Sequence, residues 1–354
     1  MRADLALVGF GNVGRRFARL IEERRDWLSL DYDLECRIVG VSTRHHGAVF
    51  RQAGLDAVGL AVRKEAGHPI VDADTEASDS QDVIRRLAAS DAPLKVLIET
   101  TTLDIKAGQP AIDHVRAALQ AGCHAVTANK GPAAFAFEEL SAIAADRDRS
   151  FLFEGAVMDG VPIFNLVRET LPAVQITGLR GVVNSTTNHI LSALEDGEGF
   201  DAALERMQAA GIAEADPSLD VDGWDAAAKV AALANVFMRA RTTPLAVERE
   251  GIGPATARQA MAAKARGARV RLVASARTTP EGVVTSVRPV ELPDDDLLAG
   301  LRGMANALVL TTDLLGEIAI CQLGGSLTQT AYALLSDLIT IRRRQLPAPH
   351  APSR

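Results

Sequence analysis

The sequence has little cysteine, no long hydrophobic run and no surplus of basic residues, and each absence excludes a class of protein. The three cysteines, Cys36, Cys123 and Cys321, are far apart and form no CxxC pair, so neither a disulfide framework nor a zinc knuckle is expected. No apolar run approaches the roughly 20 residues that span a bilayer, and the first residues lead into an apolar strand instead of a signal-peptide core. We therefore expect a cytoplasmic protein with reduced thiols and no membrane partner.

The charge and the length favour a globular protein that binds a small molecule. A net charge of −7 argues against a nucleic-acid partner, because duplex binding depends on clustered Lys and Arg side chains that neutralise phosphates. The chain has 354 residues, of which 47% are hydrophobic, so it is long for one compact core and has enough apolar surface for two. Two domains are therefore expected.

Short apolar runs alternate with helical patterns in the first part of the chain. The expected strands are residues 5–8, 37–41, 96–98, 124–127 and 151–153. Strands that alternate with helices form a doubly wound parallel sheet, so the fold class is α/β and residues 1–150 are predicted to be a Rossmann domain.

Beyond Gly155 the pattern changes to helices followed by β-branched runs, which are typical of strands in a second sheet. Residues 151–310 are predicted to form an α+β domain that binds the substrate and carries the catalytic residues. Residues 311–341 contain a strand, a glycine turn and a helix, and are expected to return to the first domain. Residues 342–354 are expected to be a solvated tail.

A glycine-rich motif lies between the first strand and the first helix. It has the form GxGxxG and consists of Gly9, Phe10, Gly11, Asn12, Val13 and Gly14. In this context the first glycine allows a tight turn, the second lets the backbone approach a pyrophosphate, and the third lets helix and strand pack closely. The N-terminus of the helix also favours the phosphate charge. The motif therefore predicts that a nicotinamide dinucleotide binds at this turn.

The end of the second strand indicates which dinucleotide is preferred. NAD-binding sheets usually carry an acidic residue there, which accepts hydrogen bonds from the ribose 2′-hydroxyl. Here Val41 is followed by Ser42, Thr43 and Arg44, with no carboxylate, and an arginine pairs well with a 2′-phosphate. NADP is therefore expected to be preferred, with NAD as the alternative.

Several carboxylates precede one lysine in residues 211–229. A calcium loop is excluded because the position that must supply a bidentate glutamate is Lys229. Asp225 and Lys229 are four residues apart on one face of an apolar helix, so the lysine is expected at the edge of a closed site. Partial desolvation is expected to lower the Lys229 pKa, which suits proton exchange with a carbonyl or hydroxyl oxygen.

A second lysine, Lys130, follows the strand at 124–127, and Glu99 ends the neighbouring strand. Both positions lie at the carboxyl edge, where such sheets bind ligands. Together with the glycine turn they outline one cleft. Thr100 and Thr101 are therefore predicted to contact the cofactor.

These motifs resemble those of the homoserine dehydrogenase family, which interconverts aspartate 4-semialdehyde and homoserine with a nicotinamide cofactor in threonine and methionine biosynthesis. The resemblance is most specific in residues 214–229, where the DP, D, G, D and K spacings occur together. It also covers residues 9–14, 99–101, 127–130, 154–162, 184–191, 287–289, 306–307 and 324–338.

The resemblance implies roles for individual residues. Lys229 would be the general acid/base at the substrate oxygen, with Lys130 also near the reacting centre and in contact with the nicotinamide of the cofactor. The residues that would contact the substrate are Glu214, Asp225, Asp220, Gly181 and Thr186. Gly324 would contact the nicotinamide. The residues that would hold a sodium ion, mainly through main-chain oxygens, are Glu154, Val157, Asp159 and Val161.

The resemblance also implies a homodimer through the second sheet and a short form without a regulatory domain. The sequence departs from the usual family pattern in three segments. In residues 184–189, Ser185 replaces glycine and His189 replaces an aromatic residue. Asp159 replaces another glycine, and residues 323–326 are an altered version of the late glycine turn. These departures leave open a related dehydrogenase of another small amino or oxo acid. A non-catalytic NADP(H)-binding regulator is the third possibility, although such a protein need not keep Lys130, Lys229 and their carboxylates.

Overall fold

The computed structural model describes residues 1–71, 76–209 and 216–345. A first sheet contains β1 (Arg2–Val8), β2 (Glu35–Ser42), β3 (Ala48–Phe50), β4 (Glu76–Ala77), β5 (Leu94–Glu99), β6 (His124–Thr127) and β7 (Phe151–Leu152). The strand order is β4-β3-β2-β1-β5-β6-β7. The helices of this part are α1 (Asn12–Glu23), α2 (Arg25–Tyr32), α3 (Ala57–Glu65), α4 (Ser80–Ala88), α5 (Ala111–Gln120) and α6 (Lys130–Asp146).

The first sheet is parallel except at one edge. β1 pairs in parallel with β2 and β5, and β6 and β7 continue the same direction. The predicted parallel Rossmann sheet is confirmed in these five strands, and the other edge differs from them, because β3 runs antiparallel to β2 and β4 antiparallel to β3. The short turn of residues 43–47 joins β2 to β3 without a crossover helix, and a short connection of this kind reverses the chain.

The second part of the chain forms a six-stranded sheet with helices. Its elements are α7 (Ile163–Thr170), β8 (Ile176–Val182), α8 (Ser185–Glu195), α9 (Phe200–Ala209), α10 (Ser218–Val221), α11 (Trp224–Met238), β9 (Glu248–Arg249), α12 (Pro254–Ala265), β10 (Ala268–Thr279), β11 (Gly282–Pro293), β12 (Asn306–Thr312), β13 (Gly316–Gln322) and α13 (Leu327–Arg344). The strand order is β13-β12-β8-β10-β11-β9. The sequence analysis named neither of the central strands β8 and β12. In β8, glycines and an arginine interrupt the apolar alternation that would have indicated a strand.

Helix α13 lies against the first sheet's helices. Its Ala331, Leu334 and Leu338 are fully buried in the same core as Phe17 and Ala18 of α1. The preceding strands β12 and β13 belong to the second sheet, so the chain crosses between the two sheets just before α13. The domain limits stay a prediction. Among the described residues, no helix is both long enough and apolar enough to cross a membrane.

Candidate active site

The glycine turn between β1 and α1 has the geometry that a dinucleotide requires. Gly9 has φ +90°, and a Cβ placed on it would lie 2.4 Å from the carbonyl carbon of Thr100. A Cβ on Gly14 would lie 2.6 Å from the Gly9 carbonyl oxygen, so helix and turn are packed backbone to backbone. By contrast, nothing lies within 4 Å of a Cβ position on Gly11. The open side of the turn therefore lets a pyrophosphate approach the backbone.

A cleft of about 1100 Å³ extends from this turn across the carboxyl edge of the first sheet. Gly9, Phe10 and Gly11 line its middle, and Thr100 and Thr101 line the side next to β5. At the end of β2, the exposed Arg44 lines the cleft together with Lys64 of α3. Sequence reasoning missed Lys64, because only the fold brings α3 next to the end of β2.

A smaller cavity of about 250 Å³ adjoins the cleft and contains both predicted lysines. It is lined by Val13, Thr100, Thr101, Ala128, Lys130, Gly155, Ala156, Met158, Asp159, Ser185, Lys229, Asn306 and Thr330. Val13 belongs to the glycine-rich motif, and Thr100 and Thr101 directly follow β5 and line both the cleft and the cavity. A cofactor held in the cleft can therefore extend its reactive end into this cavity. The cavity is therefore the candidate active site.

Asp225 joins the two lysines. Its carboxylate lies 2.8 Å from Lys229 Nζ and 3.3 Å from Lys130 Nζ, and all three side chains are largely buried. The lysine and aspartate of α11 are one helical turn apart, which is the geometry expected from their spacing. Lys130 is the first residue of α6 and reaches the same carboxylate from the first part of the chain. Two segments distant in sequence thus share one buried ionic cluster.

The pKa of Lys229 is raised, so the expectation that it would be lowered is wrong. Burial is the largest single influence and acts to lower this pKa, but the adjacent Asp225 carboxylate, together with the charges of Asp159 and Asp220, raises it by more. The two lysines in turn hold the pKa of Asp225 far below its usual range, although burial opposes them. Lys229 therefore keeps its proton and is an ammonium group. One of its N–H groups binds Asp225 and another the carbonyl oxygen of Val183, which leaves one donor for a ligand among the described groups.

Asn184 holds the carboxylates in place. Its side-chain nitrogen donates to Asp220 at 2.7 Å and to Asp225 at 2.9 Å, while its oxygen accepts from the N–H of Thr187 and caps α8. Burial, together with the charge of Asp225, raises the pKa of Asp220. Asn184 was not among the predicted site residues. Asparagine is a typical residue directly before a helix, but nothing local in the sequence indicates the contacts to the carboxylates.

Glu99 at the end of β5 is completely buried behind Thr100 and Thr101. Its carboxylate accepts from the hydroxyls of Thr101 and Thr127 and from the Thr101 N–H. Burial raises its pKa to about 7, against these hydrogen bonds. Glu99 therefore fixes the two loops that border the cavity.

The remaining predicted residues are placed as follows. Thr186 lies beside Asp220, whereas Gly181 lies inside β8 between β10 and β12 and does not line the described part of the cavity. Gly324 is exposed and has no neighbour within 4 Å of its Cβ position. Glu214 falls outside the described residues.

The predicted sodium ligands lie in the turn that connects the two parts of the chain. Both carboxylate oxygens of Glu154 accept main-chain N–H groups at 2.8 Å, from Phe164 and Asn165. The Val161 carbonyl accepts from the Ile163 N–H at 2.8 Å. No cluster of three or more metal-binding side chains is present in the described ranges. The Glu154 side chain is thus engaged within the protein, and the sodium site, which was expected mainly from main-chain oxygens, stays a prediction.

A Rossmann sheet whose glycine turn opens towards a cavity with an ion-paired lysine defines an NAD(P)-dependent oxidoreductase. Two family models match the chain. The model described as the NAD-binding domain of homoserine dehydrogenase matches residues 9–154, and the one described as homoserine dehydrogenase matches residues 162–339.

Individual relatives match over nearly the whole chain. The NAD(+)-dependent homoserine dehydrogenase of Pseudomonas canavaninivorans is 36% identical over 340 residues, which are 96% of each chain. A putative homoserine dehydrogenase of Archaeoglobus fulgidus has a TM-score of 0.82 at 29% identity, covering 96% of this chain and 99% of that one. A hyperthermophilic archaeal homoserine dehydrogenase in complex with NADPH has a TM-score of 0.78 at 29% identity, covering 98% and 99%. The chain belongs to the homoserine dehydrogenase family.

Proposed function

We propose that this protein interconverts L-aspartate 4-semialdehyde and L-homoserine with NADPH as its preferred reductant. The observation that carries the proposal is the Lys229 ammonium, which Asp225 holds at 2.8 Å inside the cavity that adjoins the glycine turn. When bound, the nicotinamide supplies the hydride for the aldehyde carbon or accepts it from the alcohol carbon. The protein's own task is to hold the substrate and to move one proton.

Lys229 is proposed as the general acid in the reducing direction. Two of its N–H groups are bound to Asp225 and Val183, so the third is the one that donates its proton to the substrate oxygen. As the hydride reaches the carbonyl carbon, the oxygen gains charge and takes this proton, which gives the hydroxyl group. In reverse, the neutral amine accepts the hydroxyl proton. Lys130, on the other side of Asp225, adds positive charge near the same oxygen.

The substrate's amino-acid end is proposed to contact the carboxylates. Asp220 and Asp225 are supported in this role by their common anchor Asn184, which places both beside Lys229. Thr186 is adjacent to Asp220. For Glu214 and Gly181 the support is the family resemblance alone. The same holds for sodium at Glu154, Val157, Asp159 and Val161, and no step here depends on it.

The preference for NADP is supported by the charges at the end of β2. Arg44 and Lys64 line the cleft there, and residues 36–47 contain no carboxylate. Phosphate binding by such cations is favourable, whereas an NAD site would need an acceptor for the ribose hydroxyl. The relatives themselves include one named as NAD(+)-dependent and one solved with NADPH, so the preference is set by individual residues.

We also propose a homodimer formed through the second sheet, and a cytoplasmic location. The dimer is supported by the family resemblance. The location is supported by the thiols, because all three cysteines are free and burial raises the pKa of Cys36 to about 12 and that of Cys123 to about 11.

The function is tested by following NADPH and NADH oxidation with aspartate 4-semialdehyde, and reduction of the oxidised cofactors with homoserine. We expect turnover in both directions, with a higher kcat/KM for NADPH. Turnover only with another oxo acid, such as oxaloacetate tested beside ammonium, would assign the protein to a related dehydrogenase. Tight NADPH binding without turnover of either substrate would leave only the third possibility, a non-catalytic NADP(H)-binding regulator.

A further inference from the structure

The active-site cavity is bordered by both parts of the chain. Its lining residues from the first part are Val13, Thr100, Thr101, Ala128 and Lys130, and those from the second part are Ser185, Lys229 and Asn306. The cofactor cleft belongs to the first part, whereas the Lys229 ammonium belongs to the second. Hydride and proton transfer to one substrate therefore depend on the distance between the two parts, because reacting groups must be held in close alignment.

Two segments cross between these parts and pack against each other. The outgoing crossing, residues 153–162, lies between β7 and α7. The returning crossing, residues 322–330, lies at the end of β13 and the start of α13. A Cβ placed on Gly160 would lie 2.5 Å from the carbonyl oxygen of Gln329, so the two backbones are in direct contact. The crossings therefore join the two parts of the chain next to the cavity.

The side chain of Asp159 binds the outgoing crossing to both ends of the returning one. Its Oδ2 accepts from Gln322 Nε2 at 3.0 Å, and its Oδ1 accepts from Thr330 Oγ1 at 3.0 Å. Gln322 is only 4% exposed, and it also donates to Gln329 at 3.0 Å and accepts from Asn306 at 3.1 Å. Asp159, Thr330 and Asn306 all line the cavity. One carboxylate thus connects the cavity wall across both crossings.

The backbone indicates that the carboxylate of Asp159 has a role of its own. Its φ is +51°, in the left-handed region that glycine adopts at little cost and that other residues rarely adopt. Asp159 also replaces the glycine that is usual in the family. The opposite crossing accommodates this side chain, since a Cβ on Gly325 would lie only 2.4 Å from Asp159 Oδ2. A residue kept in a strained conformation by its surroundings points to a function of its side chain.

We propose that Asp159 is a positioning residue that joins the two crossings and thereby holds Lys229 at the distance from the cofactor cleft that hydride transfer requires. The inference rests on the proposed function for the reaction itself. It assigns a role to the Asp159 side chain, whereas the family resemblance implies mainly main-chain oxygens of this turn as sodium ligands.

The first test compares Asp159→Gly with the matched control Asp148→Gly. Asp148 is exposed, follows α6 and has φ +52°, and its side chain makes no hydrogen bond within the described part of the chain. Both variants relieve the same backbone conformation, but only Asp159→Gly removes the two hydrogen bonds between the crossings. We expect Asp159→Gly to slow hydride transfer about tenfold in pre-steady-state measurements, with the dissociation constant of NADPH within about twofold of the wild-type value. Asp148→Gly should change neither quantity.

The separation of rate from cofactor affinity makes this test specific. NADPH binds in the cleft of the first part, so a looser connection to the second part should spare its affinity. Unchanged hydride transfer in Asp159→Gly would overturn the proposal. So would a loss of NADPH affinity as large as the loss of rate, because the carboxylate would then act on cofactor binding itself.

An exchange of the two side chains tests the contact directly. Gln322→Glu places two carboxylates opposite each other, and we expect it to slow hydride transfer more than Asp159→Gly does. Combining it with Asp159→Asn restores an amide donor opposite a carboxylate, and asparagine tolerates the positive φ. We expect the double variant to recover hydride transfer to within about threefold of the wild-type rate. A double variant as slow as Gln322→Glu alone would contradict the proposal.

Hydrogen exchange tests the connection between the crossings without turnover. We expect the amides of residues 322–330 to exchange faster in Asp159→Gly than in the wild type, and their protection to return in the double variant. Wild-type turnover of homoserine is measured first, so a failure of the proposed function is seen separately. Unchanged exchange of residues 322–330 in Asp159→Gly would overturn the proposal whatever the substrate proves to be.

Discussion

Lys229→Ala is expected to lower kcat by roughly 10²–10⁴-fold, the contribution of a positioned acid or base. Only one N–H group of Lys229 is left for the substrate oxygen, and no other described lysine besides Lys130 lines the cavity. Lys130 lies 3.3 Å from Asp225 on its other side and stays to balance that carboxylate. The variant should therefore fold and still bind NADPH, and lose mainly the chemical step.

Two further variants sharpen this test. Lys264→Ala, which removes an exposed lysine paired with Asp196 at 2.8 Å, is the matched control and should leave kcat unchanged. Lys229→Arg keeps the charge but hardly gives up its proton, so it should also be slow. Pre-steady-state hydride transfer and thermal unfolding are the measurements. Turnover near the wild-type level in Lys229→Ala, with the fold intact, would remove this residue from its role.

Arg44→Asp is expected to raise the KM for NADPH by about 10–100-fold relative to that for NADH, because it replaces a cation by a group that repels the 2′-phosphate. Arg44 is exposed at the end of β2, so the change leaves the core untouched. The new carboxylate can also accept from the ribose hydroxyl of NADH. The expected result is a change of preference, with kcat for NADH largely preserved.

The control for this prediction is Arg147→Asp, the same charge change at an exposed arginine at the far end of α6 from the site. It should alter the KM values of both cofactors little and equally. Lys64→Ala should act in the same direction as Arg44→Asp, but more weakly, since it removes a charge without reversing it. If Arg44→Asp affected NADPH and NADH to the same extent, the phosphate contact would be refuted.

The sequence was informative where the chemistry is local. The glycine turn could be recognised because its three glycines act within six residues, and the Asp225–Lys229 pair because one helical turn separates its members. Family resemblance extended this to Lys130. Asn184 and Lys64 were missed, because their partners lie on other elements.

The direction of the Lys229 pKa shift shows the same limit. The apolar neighbours of Lys229 in α11 correctly indicated burial, and burial alone lowers a lysine pKa. The actual shift depends on how close Asp225 lies and on what else neutralises it, and these are distances between side chains. With Asp225 at 2.8 Å and the charges of Asp159 and Asp220 nearby, the summed attraction exceeds desolvation and the pKa rises. Composition and spacing contain no such distances.

By itself, the sequence determined that this protein has a dinucleotide turn at Gly9 to Gly14 and a lysine and aspartate on one helical face, since both depend on neighbours along the chain. Only the tertiary structure decided the charge of Lys229, the antiparallel edge of the first sheet and the contacts of Asn184 with Asp220 and Asp225. Each of these is a balance between groups from different elements, and the fold alone sets the distances on which that balance depends.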